Sequence, residues 1–183
     1  MAEAEIKGLA ELEKFMQTLP TNIEKNVMRS SLRAGAKVMM VQAKARAPVG
    51  PANAENKKLY GGYAGALRDS VRLGTDAKFG KITAYVRAGG KNKKTGADVY
   101  YAHIIEWGAK AHAIKGTKGG FLRIGNFFGR AVWHPGIKAR AFMRPTLDTY
   151  WHQALEVTAK KMRATLEKKH GLTAPAPKEE GDV

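Results

Sequence analysis

The sequence predicts an α+β domain: an antiparallel sheet of three to four strands packed by long α-helices, with long basic loops. Three observations predict it. Two long stretches, one near each end, repeat apolar residues at three- and four-residue steps, the period of an amphipathic helix. Between them, short segments alternate apolar and polar residues, the period of a half-buried strand. Gly- and Lys-rich runs separate those segments and read as turns and loops.

Gly8 to Leu19 reads as a short amphipathic helix, with Leu9, Leu12, Phe15, Met16 and Leu19 on one face. Pro20 interrupts it. Thr21 or Asn22 then caps a second helix, with Glu24 in the first turn, where an acid meets the positive end of the helix dipole. Its apolar stripe is Ile23, Val27, Ser31, Ala34, Val38, Val41 and Ala45, while Arg29, Arg33, Lys37 and Lys44 lie largely off it. Ala47-Pro48 ends this helix near Arg46, because a residue before proline is driven out of helical conformation.

Pro48 to Gly65 reads as a loop. Leu67 to Leu73 and Ile82 to Ala88 alternate as half-buried strands, joined onward by the lysine-rich hairpin tip Gly89 to Gly96. Val99 to Trp107 is mostly apolar and fits a buried strand or a short helix. Lys110 to Gly129 holds five glycines and three phenylalanines, at 121, 127 and 128, and reads as a long functional loop. Phe127 to Trp133 offers a fourth strand. A third long helix starts near Pro145, with Leu147, Trp151, Leu155, Ala159, Met162 and Leu166 as its stripe. Lys168, Lys169 and His170 complement its negative end, and Gly171 stops it. One domain is expected over residues 1–172, followed by a disordered C-terminal tail over 173–183, rich in Pro, Ala and Glu.

The 183 residues are 44% apolar and 26% charged, ordinary values for a folded domain. The absence of cysteine excludes disulfides, thiolate nucleophiles and cysteine-ligated metals. No run approaches the roughly 20 apolar residues of a membrane span, and the acidic start Met1-Ala2-Glu3-Ala4-Glu5 is unlike a secretory signal. The net charge is +16, and it is unevenly placed. Lys78 to Arg144 carries fourteen Lys and Arg against two acids, Asp98 and Glu106, and so holds +12 of the total. Such a region reads as a nucleic-acid footprint, as a surface made to meet an acidic protein, or as a solvated face.

Bond-breaking chemistry finds little material. His103, His112, His134, His152 and His170 lack metal-ligand spacing. Ser30 and Ser31 fall inside a helix and Ser70 in a strand segment, without a nucleophile signature. Gly89-Gly90 and Gly119-Gly120 do not open a helix followed by Lys-Ser/Thr, so no phosphate-binding loop is expected. No catalytic residue, metal or cofactor is expected.

The densest motif is Tyr100-Tyr101-Ala102-His103-Ile104-Ile105-Glu106-Trp107-Gly108, followed by His134-Pro135-Gly136-Ile137-Lys138-Ala139-Arg140-Ala141-Phe142-Met143-Arg144-Pro145. Aromatic anchors, one carboxylate, guanidinium groups and rigid prolines are materials for docking protein surfaces. Glu106, Trp107, Arg140, Phe142, Arg144 and Pro145 are the candidate interface residues. Glu106 either pairs with Arg140 or Arg144, or faces solvent. Lys91, Lys93, Lys94, Lys115, Lys118 and Arg123 are the candidates for contact with DNA or an acidic partner.

Four pieces in this order resemble the bacteriophage neck and tail-completion (minor tail component) family typified by gene product ten of the lambdoid phage Hong Kong 97. They are Ala43 to Pro48 closing a long helix, Leu67-Arg68-Asp69-Ser70-Val71, Tyr101 to Gly108, and Ala141-Phe142-Met143-Arg144-Pro145. The family's usual Glu-Phe-Gly stands here as Glu106-Trp107-Gly108, and a long insert follows Pro48. The resemblance implies a structural virion protein without enzymatic activity, joining head to long tail as a homo-oligomeric ring, most simply a hexamer. Its implied neighbours are head-closure and tail-terminator or tail-tube proteins. Its implied places are the virion, and the host cytoplasm during assembly. The basic middle adds weak DNA contact as an expectation, and the lack of a long apolar run leaves no membrane partner expected. The competing reading is a basic nucleic-acid-binding protein or small nuclease, with His134 or His112 as base.

Overall fold

The computed structural model describes residues 9–50, 62–78, 81–116, 120–124 and 127–173. Most of the expected Pro48–Gly65 loop and nearly all of the expected C-terminal tail lie outside the described residues, as does Lys118. The class is α+β, as the sequence predicts. Helix α1 covers Leu9–Gln17 and α2 covers Thr21–Arg46. No side chain caps α2. The Pro20 carbonyl instead accepts from the amides of Ile23 and Glu24, so neither Thr21 nor Asn22 is the cap.

Residues 66–70 correct the reading of Leu67 to Leu73 as a strand. Ala66–Ser70 is one helical turn, α3, and strand β1 begins only at Arg72, running Arg72–Lys78. The buried residues Ala66, Leu67 and Ser70 sit at helical spacing, and Ser70 Oγ donates to the Leu67 carbonyl at 2.6 Å. The same hydroxyl accepts from Gly89 N at 2.9 Å and ties the turn to the chain beyond the next two strands. Strand β2, Lys81–Arg87, pairs antiparallel with β1 from Arg72↔Arg87 to Lys78↔Lys81. Its exposure alternates residue by residue because one face lies on α2. A small hairpin follows, β3 (Gly90–Lys91) against β4 (Asp98–Val99). Helix α4, Ala102–Trp107, settles the Val99–Trp107 segment as mainly helical.

Four short strands come next: β5 (His112–Lys115), β6 (Leu122–Ile124), β7 (Phe127–Gly129) and β8 (Ala131–His134). The single sheet of three or four strands is therefore corrected. Among the described residues every sheet is a two-stranded antiparallel ribbon: β1–β2, β3–β4, β5–β8 and β6–β7. The later strands are two to four residues long and fold back on one another, so none extends the β1–β2 ladder.

Helix α5, Met143–His170, starts two residues before Pro145, which occupies its first turn. Gly171 ends it, its amide reaching the Glu167 and Leu166 carbonyls. The two long helices run antiparallel between two apolar clusters. One gathers Ala43 of α2 and Ala47, the residue just after that helix, with Leu67, Val71, Val99, Ala102 and Phe142. The other gathers Leu12 and Met16 of α1 with Val27, Ala159, Met162 and Leu166. The buried line on α2 is Val27, Ser31, Gly35 and Ala43, continued by Ala47 past its end in steps of four or eight, while Val41 and Ala45 of the expected stripe are exposed. Small residues set that line because the helices touch backbone to backbone. A methyl group at Gly35 would overlap Thr158 Oγ1 and the Ala154 carbonyl oxygen. On α5 the expected stripe is buried only in its second half, since Leu147 is exposed.

Candidate docking site

The two halves of the densest sequence motif meet in space through one carboxylate. Glu106, at the end of α4, is 6% exposed. Its Oε2 accepts from the amides of Phe142 at 2.8 Å and Met143 at 3.0 Å. Its Oε1 accepts from the Arg144 amide at 3.0 Å and from Arg144 Nε at 3.3 Å. The first turn of a helix carries backbone donors without helical partners. Glu106 satisfies three of them at the start of α5, from 36 to 38 residues away in sequence. Burial pushes its carboxyl upward, but the amides of Met143, Phe142 and Arg144 and the Arg144 side chain outweigh burial and hold it below its ordinary value.

Arg144 extends the junction. Its Nη2 donates to the Glu106 carbonyl oxygen at 3.0 Å. Its guanidinium lies over the Trp107 ring, 3.9 Å from the centroid. Trp107 is 65% exposed, so the stack is a surface feature with one ring face already committed. Phe142 is the opposite case. It is 1% exposed and packed in the first apolar cluster, with its carbonyl accepting from Thr146 Oγ1 at 2.6 Å. Of the six expected interface residues, Trp107, Arg140, Arg144 and Pro145 are at the surface, and Glu106 and Phe142 are interior. The ion pair is made with Arg144; Arg140 contributes its backbone amide, which donates to the Ile105 carbonyl at 2.8 Å.

Between these two halves the chain leaves as a ribbon. Ala109 and Ile137 exchange backbone hydrogen bonds of 2.9 and 2.8 Å at its base. Above them β5 pairs with β8, Gly116 N donates to the Arg130 carbonyl, and β6 pairs with β7. Gly108 and Gly136 make the base possible. Both have positive φ, 75° and 91°, and a Cβ on Gly108 would lie 2.6 Å from the Ile137 carbonyl oxygen. None of the four strands packs extensively against a helix or against β1–β2. From Ala109 to Ile137 the sequence has no acid, and it carries Lys110, Lys115, Lys118, Arg123 and Arg130.

The ribbon also exposes a large aromatic residue absent from the sequence-based candidates. Trp133 is 67% exposed, opposite Ala113 and next in register to Lys115 and Ala131, on a face exposed throughout. The signal for it is the alternation in Ala131-Val132-Trp133-His134, which puts Trp133 opposite the half-buried Val132 and His134. The register also brings His112 opposite His134, with rings stacked at 5.2 Å. Their Nδ1 atoms are engaged by backbone, His112 with the Lys110 carbonyl and His134 with the Gly136 amide. No group of three His, Cys, Asp or Glu that could hold a metal occurs among the described residues.

Lys91, Lys93 and Lys94 lie elsewhere, on the β3–β4 hairpin, which is a built turn. Asn92 Oδ1 accepts from the amides of Lys94 and Thr95, and Asn92 N donates to the Ala97 carbonyl. Those three lysines are thus on a different hairpin from Lys115 of β5 and Arg123 of β6. Among the described residues, no helix is long and apolar enough to cross a membrane.

No curated protein and no solved structure matches the chain. One family model does, described as "Bacteriophage HK97-gp10, putative tail-component", over residues 10–108. The match covers more than half of the sequence, from the start of α1 to the glycine that closes Glu106-Trp107-Gly108, and it stops at the base of the ribbon. The chain belongs to this HK97-gp10-like family of phage tail components.

Proposed function

We propose that the chain is a structural protein of the phage neck, joining the head to a long tail and completing the tail as a ring of its own copies. The observation that carries this reading is the acid-free ribbon, Ala109 to Ile137, which has its own strand pairs, an exposed Trp133 and, among its described residues, little contact with the helices or with β1–β2. A ribbon of that kind is surface made to be covered. In a ring, the ribbon of one copy lies on the next by a repeated head-to-tail contact that closes by rotation. Trp107, Arg140, Arg144 and Pro145 form the second docking surface in this proposal. Glu106 and Phe142 act behind it by holding that surface in place. A hexamer is the simplest ring, with head-closure and tail-terminator or tail-tube proteins above and below, and the virion as its place. No step of this mechanism needs covalent chemistry.

Native mass measurement of the purified protein, alone and mixed with isolated tails, tests the reading. A ring mass, or stoichiometric association with tails, is the expected result, and Trp133→Ala in the ribbon removes it. A protein that stays monomeric and ignores tails overturns it.

Direct nucleic-acid contact is the second reading, favoured by the same ribbon, since a two-stranded antiparallel ribbon fits a duplex major groove. In that case Lys115, Lys118 and Arg123, with Lys91, Lys93 and Lys94, meet phosphates.

A further inference from the structure

Four cations line a groove that none of the contacts above uses. It lies between α2 and the start of β1 and holds about 580 Å³. Arg33, Lys37 and Lys44 reach it from α2 and Arg72 from β1, and its apolar lining comes from Met40 and Leu73, with the buried Val71 of the first cluster beneath them. The single acid, Asp69, is already engaged: it accepts from Tyr63 Oη at 2.9 Å and from Arg68 Nε at 3.3 Å. Arg72 is partly engaged too, with Nη1 on the carbonyls of Ser70 and Gly89. Arg33 and Lys37 have no hydrogen-bond or ion-pair partner among the described residues. The groove is therefore left with uncompensated positive charge beside an apolar surface.

We propose that this groove docks an extended acidic peptide segment of a partner protein, with carboxylates on Arg33 and Lys37 and a neighbouring apolar side chain on the half-buried Met40 and Leu73. The spacing fits. One helical turn separates Arg33 from Lys37, about 6 Å along α2. Alternate residues of an extended chain recur on one side about every 6.6 Å. Guanidinium and ammonium groups beside apolar surface form stronger pairs with carboxylates than fully solvated ones do. A nucleic-acid backbone supplies the charge but no aliphatic side chain for the apolar lining, so it is the less complementary occupant. The proposal does not depend on where in the particle the chain sits, nor on the ribbon.

The test uses the full chain and a fluorescein-labelled octapeptide of alternating Glu and Leu, with fluorescence anisotropy as the readout. Two double variants remove the same charge: Arg33→Gln with Lys37→Gln in the groove, and Lys168→Gln with Lys169→Gln at the end of α5. The expected result is binding that weakens at least about tenfold in the groove variant and less than about twofold in the control. The matching Gln–Leu peptide binds at least about tenfold more weakly to the unmodified chain. All four substituted side chains are exposed, and equal thermal midpoints establish that the variants fold. Equal weakening in both variants reduces the effect to net charge and overturns the proposal. Equal affinity for the Gln–Leu peptide overturns it as well. A short DNA duplex that loses more affinity than the peptide through the groove substitutions would make the occupant a nucleic acid instead.

Discussion

The junction around Glu106 and the ribbon that leaves it are adjacent in sequence and opposite in construction. At the junction, one buried carboxylate serves three backbone amides and a guanidinium, and Phe142 beside it is almost wholly enclosed. In the ribbon, strands pair with each other, Phe121 and Trp133 are exposed, and every charged residue from Lys110 to Arg130 is basic. Both regions are rich in aromatic and basic residues, which is why they read alike in the sequence. The difference is in what those residues face. A residue type common at interfaces marks an interface only where the chain itself has not already buried it.

Phe142→Ala gives the sharpest break of this contrast. A fully enclosed phenylalanine truncated in an apolar cluster costs about 3–5 kcal/mol. Urea unfolding should show this destabilisation directly, so failure of this variant to assemble reports instability rather than damage to a docking surface. An unchanged midpoint would mean that the junction is no more built than the ribbon.

Glu106→Gln should cost roughly 1–3 kcal/mol, because an amide cannot accept on both sides from four donors. It also tests the charge. The folded carboxyl lies below its ordinary value, so its contribution is complete above the unfolded pKa and is lost as pH falls through the folded one. The parent protein should therefore lose more stability than the Gln variant on going from about pH 6 to about pH 3. Parallel pH curves for the two proteins would remove Glu106 as an ionised cap.

Trp133→Ala should move the unfolding free energy by no more than about 0.5 kcal/mol, the usual range for a surface site. Particle incorporation should nonetheless fall, as read by the protein's content in purified virions. A large drop in stability would show that the ribbon packs on the body after all.

The smallest effect belongs to the β3–β4 hairpin. Replacing Lys91, Lys93 and Lys94 by Gln should leave stability and incorporation intact and flatten the salt dependence of DNA binding. Every phosphate of a duplex that a lysine neutralises adds about 0.9 to the steepness of log affinity against log salt, and its removal subtracts as much. Failed incorporation with unchanged DNA affinity would make the hairpin a protein-docking element.

The long helices are legible because their period persists over many turns, and Pro48 and Gly171 punctuate them. The α2 stripe read from hydrophobicity runs through Ala34, whereas the buried line runs through Gly35, because close helix contact selects smallness. Leu67 to Leu73 reads as a strand because one turn of helix followed by the start of a strand can share a single alternating pattern. The sheet is overcounted from sequence because strand pairing is long-range and leaves little local trace. The pairing of Glu106 with Arg144 is one of the alternatives the sequence offers. Its role as a remote helix cap is not, since caps are sought next to the helix they serve.

Glu106 also closes a circuit. Its bonds to Phe142, Met143 and Arg144 pin together the two points where the chain departs and returns, and the Ala109–Ile137 pair repeats the closure one step further out. Everything beyond that pair is an excursion whose ends are already joined. The ribbon is therefore a cassette. It can be lengthened or exchanged for another hairpin, since each doubling of a closed loop's length changes the closure entropy by only about 0.6 kcal/mol. The body therefore tolerates a change of ribbon without the fold having to follow.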